Sequence, residues 1–334
     1  MVGELLLASL HSAGAEGTHQ PGDRATRDHV ALASQMLPPA LKPRNEHCTI
    51  TPPDSSLPCP GRSRVGLGDT GNVEIQLKGG VANAGAVVRS GDHVLRPSNH
   101  HTPTIHRFLR FVARAGFDGA SQPVGVDADG RERLRFIDGH VPLPPFPDWA
   151  QTDEALGSIA RLMRRFHRAA TGFESRAEDT WSAEMADSAG GSIICHNDVC
   201  LENVVFRDGQ AVGLLDFDFA APGRPEYDLA CFARMCVPID DDESRGRFGW
   251  RPADLPARLR LVADEYCLVA DERGELIAAL DASIARGGEF LLRRVAGGDE
   301  NFIEMWNSMG GMARFDRRRN WWADTRPQFD AALR

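Results

Sequence analysis

Apolar and polar residues alternate with the two-residue period of a strand over Glu74-Ile75-Gln76-Leu77-Lys78. A glycine-containing bend, Gly79 to Gly85, follows, and Ala86-Val87-Val88-Arg89 predicts a second strand. Ser90-Gly91-Asp92 then turns the chain into a third, His93-Val94-Leu95-Arg96. The period changes next: Ile105, Phe108, Leu109 and Val112 recur at helical spacing within Thr104–Ala115. Strand patterning returns from Ser121 to Phe136 around the turn Asp127-Ala128-Asp129-Gly130. Beyond a proline-rich stretch, Pro142 to Pro147, a helix begun by Thr152 carries Asp153 and Glu154 in its first turn and the stripe Ala155, Ile159, Leu162, Met163 and Phe166. Val204-Val205-Phe206 and Ala211 to Leu215 flank the turn signal Asp208-Gly209 and predict a hairpin. After Ala230 helical spacing dominates: Leu259, Val262 and Tyr266; Leu276, Ile277, Leu280 and Ile284; Phe302, Ile303, Trp306 and Met309.

Residues 1–70 break this order. Pro38, Pro39, Pro43, Pro52, Pro53, Pro58 and Pro60 interrupt every candidate element, and aromatic residues are almost absent, so a disordered extension is expected there.

The hairpin is bracketed by chemistry. Asp198 stands five residues before Asn203, and Asp216 follows just past the returning strand. With Asp208 and Gly209 at the centre of the turn, Asn203 lies opposite Leu214 and Asp216 is one diagonal step away, roughly 7–8 Å between backbones. An amide oxygen and a carboxylate can then share a magnesium ion, which takes its other ligands from water and phosphates. Asp198 is left facing an acceptor hydroxyl. Phosphoryl transfer asks for positioning, charge neutralisation and a proton acceptor, and these three residues cover that list. Capping and turn formation are the plainer roles for such residues, but they do not explain acids and an amide on both sides of an apolar hairpin.

His196-x-Asp198-x-x-x-x-Asn203, Leu214-Leu215-Asp216-Phe217-Asp218 and Gly223-Arg224-Pro225-Glu226-Tyr227-Asp228-Leu229-Ala230 together resemble the aminoglycoside phosphotransferase family, and within it a subgroup labelled trifolitoxin immunity proteins. The resemblance runs from about Leu77 to the C-terminus. It implies an α+β, two-lobed, protein-kinase-like fold: a small antiparallel-sheet lobe for the nucleotide over residues 71–140, and a larger, mainly helical lobe for catalysis and acceptor binding over 141–334. By the same resemblance Asp198 is the general base, Asn203 and Asp216 hold magnesium, Asp228 braces the catalytic loop and Asp218 is a second acid. ATP or GTP is the implied phosphate donor, and a hydroxyl-bearing small molecule (aminoglycoside-like, amino alcohol or sugar) the acceptor. A non-catalytic nucleotide-binding or antibiotic-immunity protein on the same scaffold is the alternative.

In the small lobe, the glycine bend with Gly80 and Asn83 can bring backbone N–H groups near phosphates. Arg96 stands where the family has a phosphate-gripping lysine, and the following helix offers no Glu as its partner, so the usual Lys–Glu pair is missing at both ends. His106 reads as a surface histidine. Phe136, Ile137, Asp138 and Gly139 resemble the hinge against which adenine lies. His167 reads as packing or capping. His196 is expected to hold the catalytic loop by a side-chain hydrogen bond, and Asn197 to take the left-handed conformation that relatives give to glycine.

Composition narrows the rest. The chain has 334 residues, 42% of them hydrophobic, enough to bury a substantial core. A net charge of −9 without a Lys/Arg block gives a nucleic-acid partner no footprint. No apolar run reaches the roughly 18–20 residues of a membrane span. Glu4 stands where a secretory signal would be basic. Seven cysteines without paired spacing suit reduced thiols in a cytoplasm, and do not suit a zinc site. Asp240-Asp241-Asp242-Glu243 could meet ammonium groups of an acceptor, although a solvated acidic loop is the plainer expectation. Oligomeric state is not legible.

Overall fold

The computed structural model describes residues 74–77 and 86–334. The expected disordered extension over 1–70, and the glycine bend with Gly80 and Asn83, lie outside the described residues. Five antiparallel strands build the small lobe in the order β1 (Glu74–Gln76), β2 (Val88–Ser90), β3 (His93–Pro97), β5 (Arg131–Arg135), β4 (Pro123–Val126). Helix α1 (Thr102–Arg114) follows β3, and the stripe Ile105, Phe108, Leu109 and Val112 is buried as its spacing requires. Phe108 meets Phe166, Phe173 and Phe217 edge to face, which ties α1 to the larger lobe through aromatic packing.

The link between the lobes is pinned. His140 and Phe206 exchange two backbone hydrogen bonds of 2.8 Å. Beside them Gly139 has φ +149°, and a Cβ there would lie 2.5 Å from the Phe206 carbonyl oxygen. Only glycine lets the two segments approach this closely.

In the larger lobe, α2 (Asp153–Ala170) starts where expected: the Thr152 hydroxyl accepts the Ala155 N–H at 3.1 Å. Its stripe packs on α5 (Leu255–Tyr266), while α3 (Pro225–Cys236) packs along α6 (Ala270–Ala296). Helix α4 (Asp242–Arg247) follows the acidic run, and α7 (Glu300–Ser308) and α8 (Gly311–Leu333) close the chain. Two short ribbons carry the central loops: β6 (Ile193–Cys195) pairs with β9 (Ala221–Gly223), and β7 (Val204–Arg207) with β8 (Gln210–Leu214).

The β7–β8 register differs from the expected one. Arg207 pairs with Gln210 and Phe206 with Ala211, but Val205 pairs with Gly213 and Val204 with Leu214, so Val212 is an extra, bulged residue. Asn203 is therefore moved opposite Leu215, whose N–H donates to the Asn203 carbonyl at 2.8 Å. The bulge brings Asn203 one residue closer to Asp216 than an unbroken ladder would.

Candidate functional site

Residues 196–203 form a loop clamped from below by one carboxylate. Asp228, wholly buried in the first turn of α3, accepts the Asn197 N–H on Oδ1 at 2.7 Å and the His196 N–H on Oδ2 at 2.7 Å. His167 Nε2 lies 2.9 Å from the same Oδ2, and its Nδ1 lies 2.6 Å from the Tyr266 hydroxyl. Burial opposes the charge on Asp228, but these donors outweigh it and hold the carboxyl below its ordinary range. His196 Nε2 lies 2.8 Å from the Leu215 carbonyl, joining the loop to the segment that carries Asp216. Burial lowers the proton affinity of His196, which suits a neutral ring with one N–H for that bond. Asn197 sits at φ 65°, a left-handed angle that Asn adopts more readily than most residues.

Asp198 and Asn203 meet at the end of this loop, and the Leu215 N–H bonded to the Asn203 carbonyl brings the chain there one residue before Asp216. Asn203 donates its amide N–H to the Asp198 carbonyl at 2.9 Å and to Asp198 Oδ2 at 3.1 Å, which turns its oxygen away from that carboxylate. Asp216 begins the next loop at φ 61°, a backbone angle kept only where the surroundings enforce it. An amide oxygen and a carboxylate are hard donors of the kind magnesium takes, so the residues present fit that ion. Burial and then the charge of Asp216 push Asp198 up to about 8, against the opposing charge of Arg234 and the Asn203 hydrogen bond.

Arg96 is the organising cation. It is 8% exposed, and its guanidinium reaches three carboxylates: Nε donates to Glu132 Oε1, Nη1 to Asp216 Oδ1 at 2.9 Å and Nη2 to Asp218 Oδ1 at 2.5 Å. The other Glu132 oxygen lies 2.8 Å from His106 Nε2. Burial works against the charge on Arg96, but Asp216, Asp218 and Glu132 overcome it and hold the proton. Burial raises Asp218 to about 6, with Arg96 opposing. In Glu132, too, burial is outweighed, by His106 and Arg96, and the carboxyl stays below its ordinary range.

Two expectations are corrected here. An acidic partner for the small-lobe cation is present, supplied by strand β5 instead of the helix: Glu132 stands directly opposite Arg96 in the β3–β5 ladder. His106 is not a surface residue; it is 5% exposed and completes the Arg96–Glu132–His106 chain. A signal for Glu132 was present in the alternation of Arg131-Glu132-Arg133-Leu134-Arg135, which puts the one acid on the face of Leu134.

At the hinge, the Phe136 N–H donates to the Asp92 carbonyl at 2.9 Å, the Arg89 guanidinium lies 3.7 Å from the centre of its ring, and Arg207 Nη2 donates to the Asp138 carbonyl at 2.8 Å. Part of the hinge is therefore committed to protein contacts. The acidic run is also engaged rather than simply solvated: Asp240 accepts from Arg318 at 2.7 Å, and Asp241 from Arg317 at 2.9 Å while capping α4.

This arrangement defines a two-lobed, kinase-like protein, and comparison with known proteins names the family. Residues 170–262 match the APH model, described as the phosphotransferase enzyme family. The chain is 32% identical over 214 residues to the trifolitoxin immunity protein of Rhizobium leguminosarum bv. trifolii, a match that covers 63% of this chain and 80% of that protein. Among solved structures, a choline/ethanolamine kinase family protein from Mesorhizobium loti superposes with a TM-score of 0.54 at 18% identity, covering 80% of this chain and 94% of the other. The chain belongs to the aminoglycoside phosphotransferase family. No helix among the described residues is long and apolar enough to cross a membrane.

Proposed function

We propose that the protein transfers the γ-phosphate of ATP or GTP to a hydroxyl of a small molecule, with magnesium. When bound, the ion neutralises charge on the phosphates; Asn203 and Asp216 are the residues that would hold it. Asp198 orients the acceptor hydroxyl and takes its proton, and the hydrogen bond from Asn203 fixes the angle of its carboxylate. Arg96 keeps Asp216 and Asp218 in place from the sheet side, while Glu132 and His106 fix the guanidinium. The hinge share of the nucleotide falls to Ile137 and Gly139, flanked by Phe136 and Asp138. Residues 71–140 serve as the nucleotide lobe and 141–334 as the catalytic and acceptor lobe, acting in the cytoplasm.

The observation that carries this reading is the contact of Asn203 with Asp198 next to the strained Asp216. The test is a nucleotide-consumption screen with ATP and GTP plus magnesium against aminoglycosides, amino alcohols and sugars. An Asp198→Ala protein that kept full turnover on an accepted substrate would end it.

A second reading, a nucleotide-binding immunity protein that performs no transfer, draws on the double hold of Asp216 and Asp218 on Arg96 and on the name of the Rhizobium relative. Magnesium-dependent nucleotide binding without phosphate transfer to any acceptor supports it. Measurable turnover removes it.

A further inference from the structure

Two helices of the larger lobe begin at one cavity. Its volume is about 220 Å³, and its wall includes the first residue of each helix, Asp153 of α2 and Leu255 of α5. A residue that opens a helix has no intrahelical acceptor for its N–H, and the helix dipole adds partial positive charge at that end. Arg258, one turn into α5, lines the same cavity and adds a full charge. Arg96, Asp198, Asn203 and Asp216 do not line it, so it is not the space between those groups.

The charge on Arg258 is incompletely met. Its side chain is 11% exposed; Nη1 donates to the Gln151 carbonyl at 2.7 Å and lies 3.2 Å from Asp153 Oδ1, while Nε is buried with no partner. Asp153 is 71% exposed, so water screens the counter-charge it offers. Burial accordingly outweighs Asp153, and the guanidinium holds its proton less tightly than usual. The wall around it is tied together by Gln151, which is buried: Nε2 donates to the Phe146 and Gly249 carbonyls at 2.7 and 2.9 Å, and Oε1 accepts the Arg251 N–H at 2.7 Å. Pro238, Trp250 and Pro252 make an apolar side, and the Trp250 ring backs onto Phe146 at 4.8 Å between centres.

We propose that this cavity binds a small organic carboxylate, with its charged end against Arg258 and the two helix starts and its apolar body against Trp250, Pro238 and Pro252. The volume lies below the roughly 300–1,000 Å³ of pockets for drug-sized ligands, which limits the occupant to a small molecule. A bare phosphate would leave the apolar side wet, and an amine would meet a guanidinium and two positive helix ends. The site goes beyond the phosphotransferase reading and does not rest on it. Pro238 stands two residues past Cys236, whose Sγ lies 3.7 Å from the Val199 carbonyl, so an occupant borders the end of α3 that touches the loop over residues 196–203.

Isothermal titration of the full chain with benzoate, hexanoate, inorganic phosphate and hexylamine tests the site on wild type, Arg258→Gln, Asp153→Asn and Ala253→Trp. Ala253 is an exposed residue of the cavity wall, and its replacement by tryptophan obstructs the space without touching Arg258, which keeps the test open if Arg258→Gln does not fold. Saturable binding of benzoate or hexanoate, weakened about tenfold or more in Arg258→Gln and in Ala253→Trp, is the expected result. Asp153→Asn removes a competing carboxylate and should tighten that binding. Phosphate should bind more weakly than either carboxylate, and hexylamine not at all. No binding of either carboxylate, an affinity unchanged in Arg258→Gln and Ala253→Trp, no gain in Asp153→Asn, or a preference for phosphate or hexylamine overturns the proposal.

Discussion

Arg96 and Glu132 face each other across the β3–β5 ladder, and His106 closes on the far oxygen of that glutamate. A cation, an acid and an imidazole from two strands and a helix thereby form one buried chain beside Asp216 and Asp218. A flexible lysine would present its charge to whatever lies above it. The planar guanidinium has its donors divided among three carboxylates, so its main work is to set the positions of Asp216 and Asp218.

Removing the acid from this chain should be costly. Glu132→Gln leaves a buried guanidinium short of one counter-charge and His106 with a weaker partner, and the expected loss is about 3–5 kcal/mol of folding stability. His106→Gln removes a single hydrogen bond and should cost less, about 1–3 kcal/mol. Urea unfolding midpoints with unchanged slopes provide the measurement. Equal stability of wild type and Glu132→Gln would mean that the chain contributes nothing to the fold.

Asp216→Asn separates metal chemistry from folding. Asn tolerates the left-handed angle at this position, and Arg96 retains two carboxylates, so the protein should still fold. Magnesium-dependent nucleotide turnover should drop by about a hundredfold or more, because even outer-shell changes reach 10–100-fold. Circular dichroism beside a turnover assay over a magnesium titration decides it; turnover near wild type would remove Asp216 from the ion's ligands.

Asp198 makes stability depend on pH in a definite direction. Its carboxyl is pushed up to about 8 in the fold and returns to about 3.9 in the unfolded chain. The folded protein therefore binds more protons between those values. Its stability from this group is complete below about 4 and is lost as pH rises through about 8. Metal-free thermal melts of wild type should fall across this window relative to Asp198→Asn. Parallel curves for the two proteins would show that the carboxyl is not raised. Because a general base must be ionised, turnover should rise over the same range.

The parts of the protein legible in its sequence are those fixed by local rules. The stripe of α1, the Thr152 cap of α2 and the turn at Asp208-Gly209 follow from spacing and turn chemistry, and the structure has all three. The hidden parts are long-range. Glu132 lies 36 residues from Arg96, and only the strand register joins them. The bulge at Val212 had a signal in Gly213, an isolated glycine inside a strand pattern, but glycine alone does not say which residue is extra, and the expected register missed by one residue. His106 lies next to a clear apolar stripe on α1, but its burial depends on Glu132, a partner from strand β5. The pairing of Asp240 and Asp241 with Arg317 and Arg318 spans more than seventy residues and was equally out of reach.

Asp228 offers the sharpest test of how the loop over residues 196–203 is held. Both its oxygens are saturated, by the His196 and Asn197 N–H groups and by His167, and it has no exposure to water. In Asp228→Asn one oxygen becomes an NH2, so a donor must face a backbone N–H or the His167 ring, and a buried N–H is left without a partner. About 1–3 kcal/mol is lost for each orphaned group, more where the missing charge had been shared. The acid limb of stability should change with it. The depressed carboxyl of wild type contributes stability above its ordinary range near 3.9, and that contribution is lost as pH falls through its lower folded value. Acid titrations followed by tryptophan fluorescence should therefore show a steep fall in wild-type stability at low pH and a shallower one in Asp228→Asn. Nucleotide turnover in the variant should fall even at temperatures where it stays folded, since Asp198 is two residues from the clamped His196 amide. A variant with unchanged acid sensitivity and full turnover would show that the loop is held by the hairpin and not from α3.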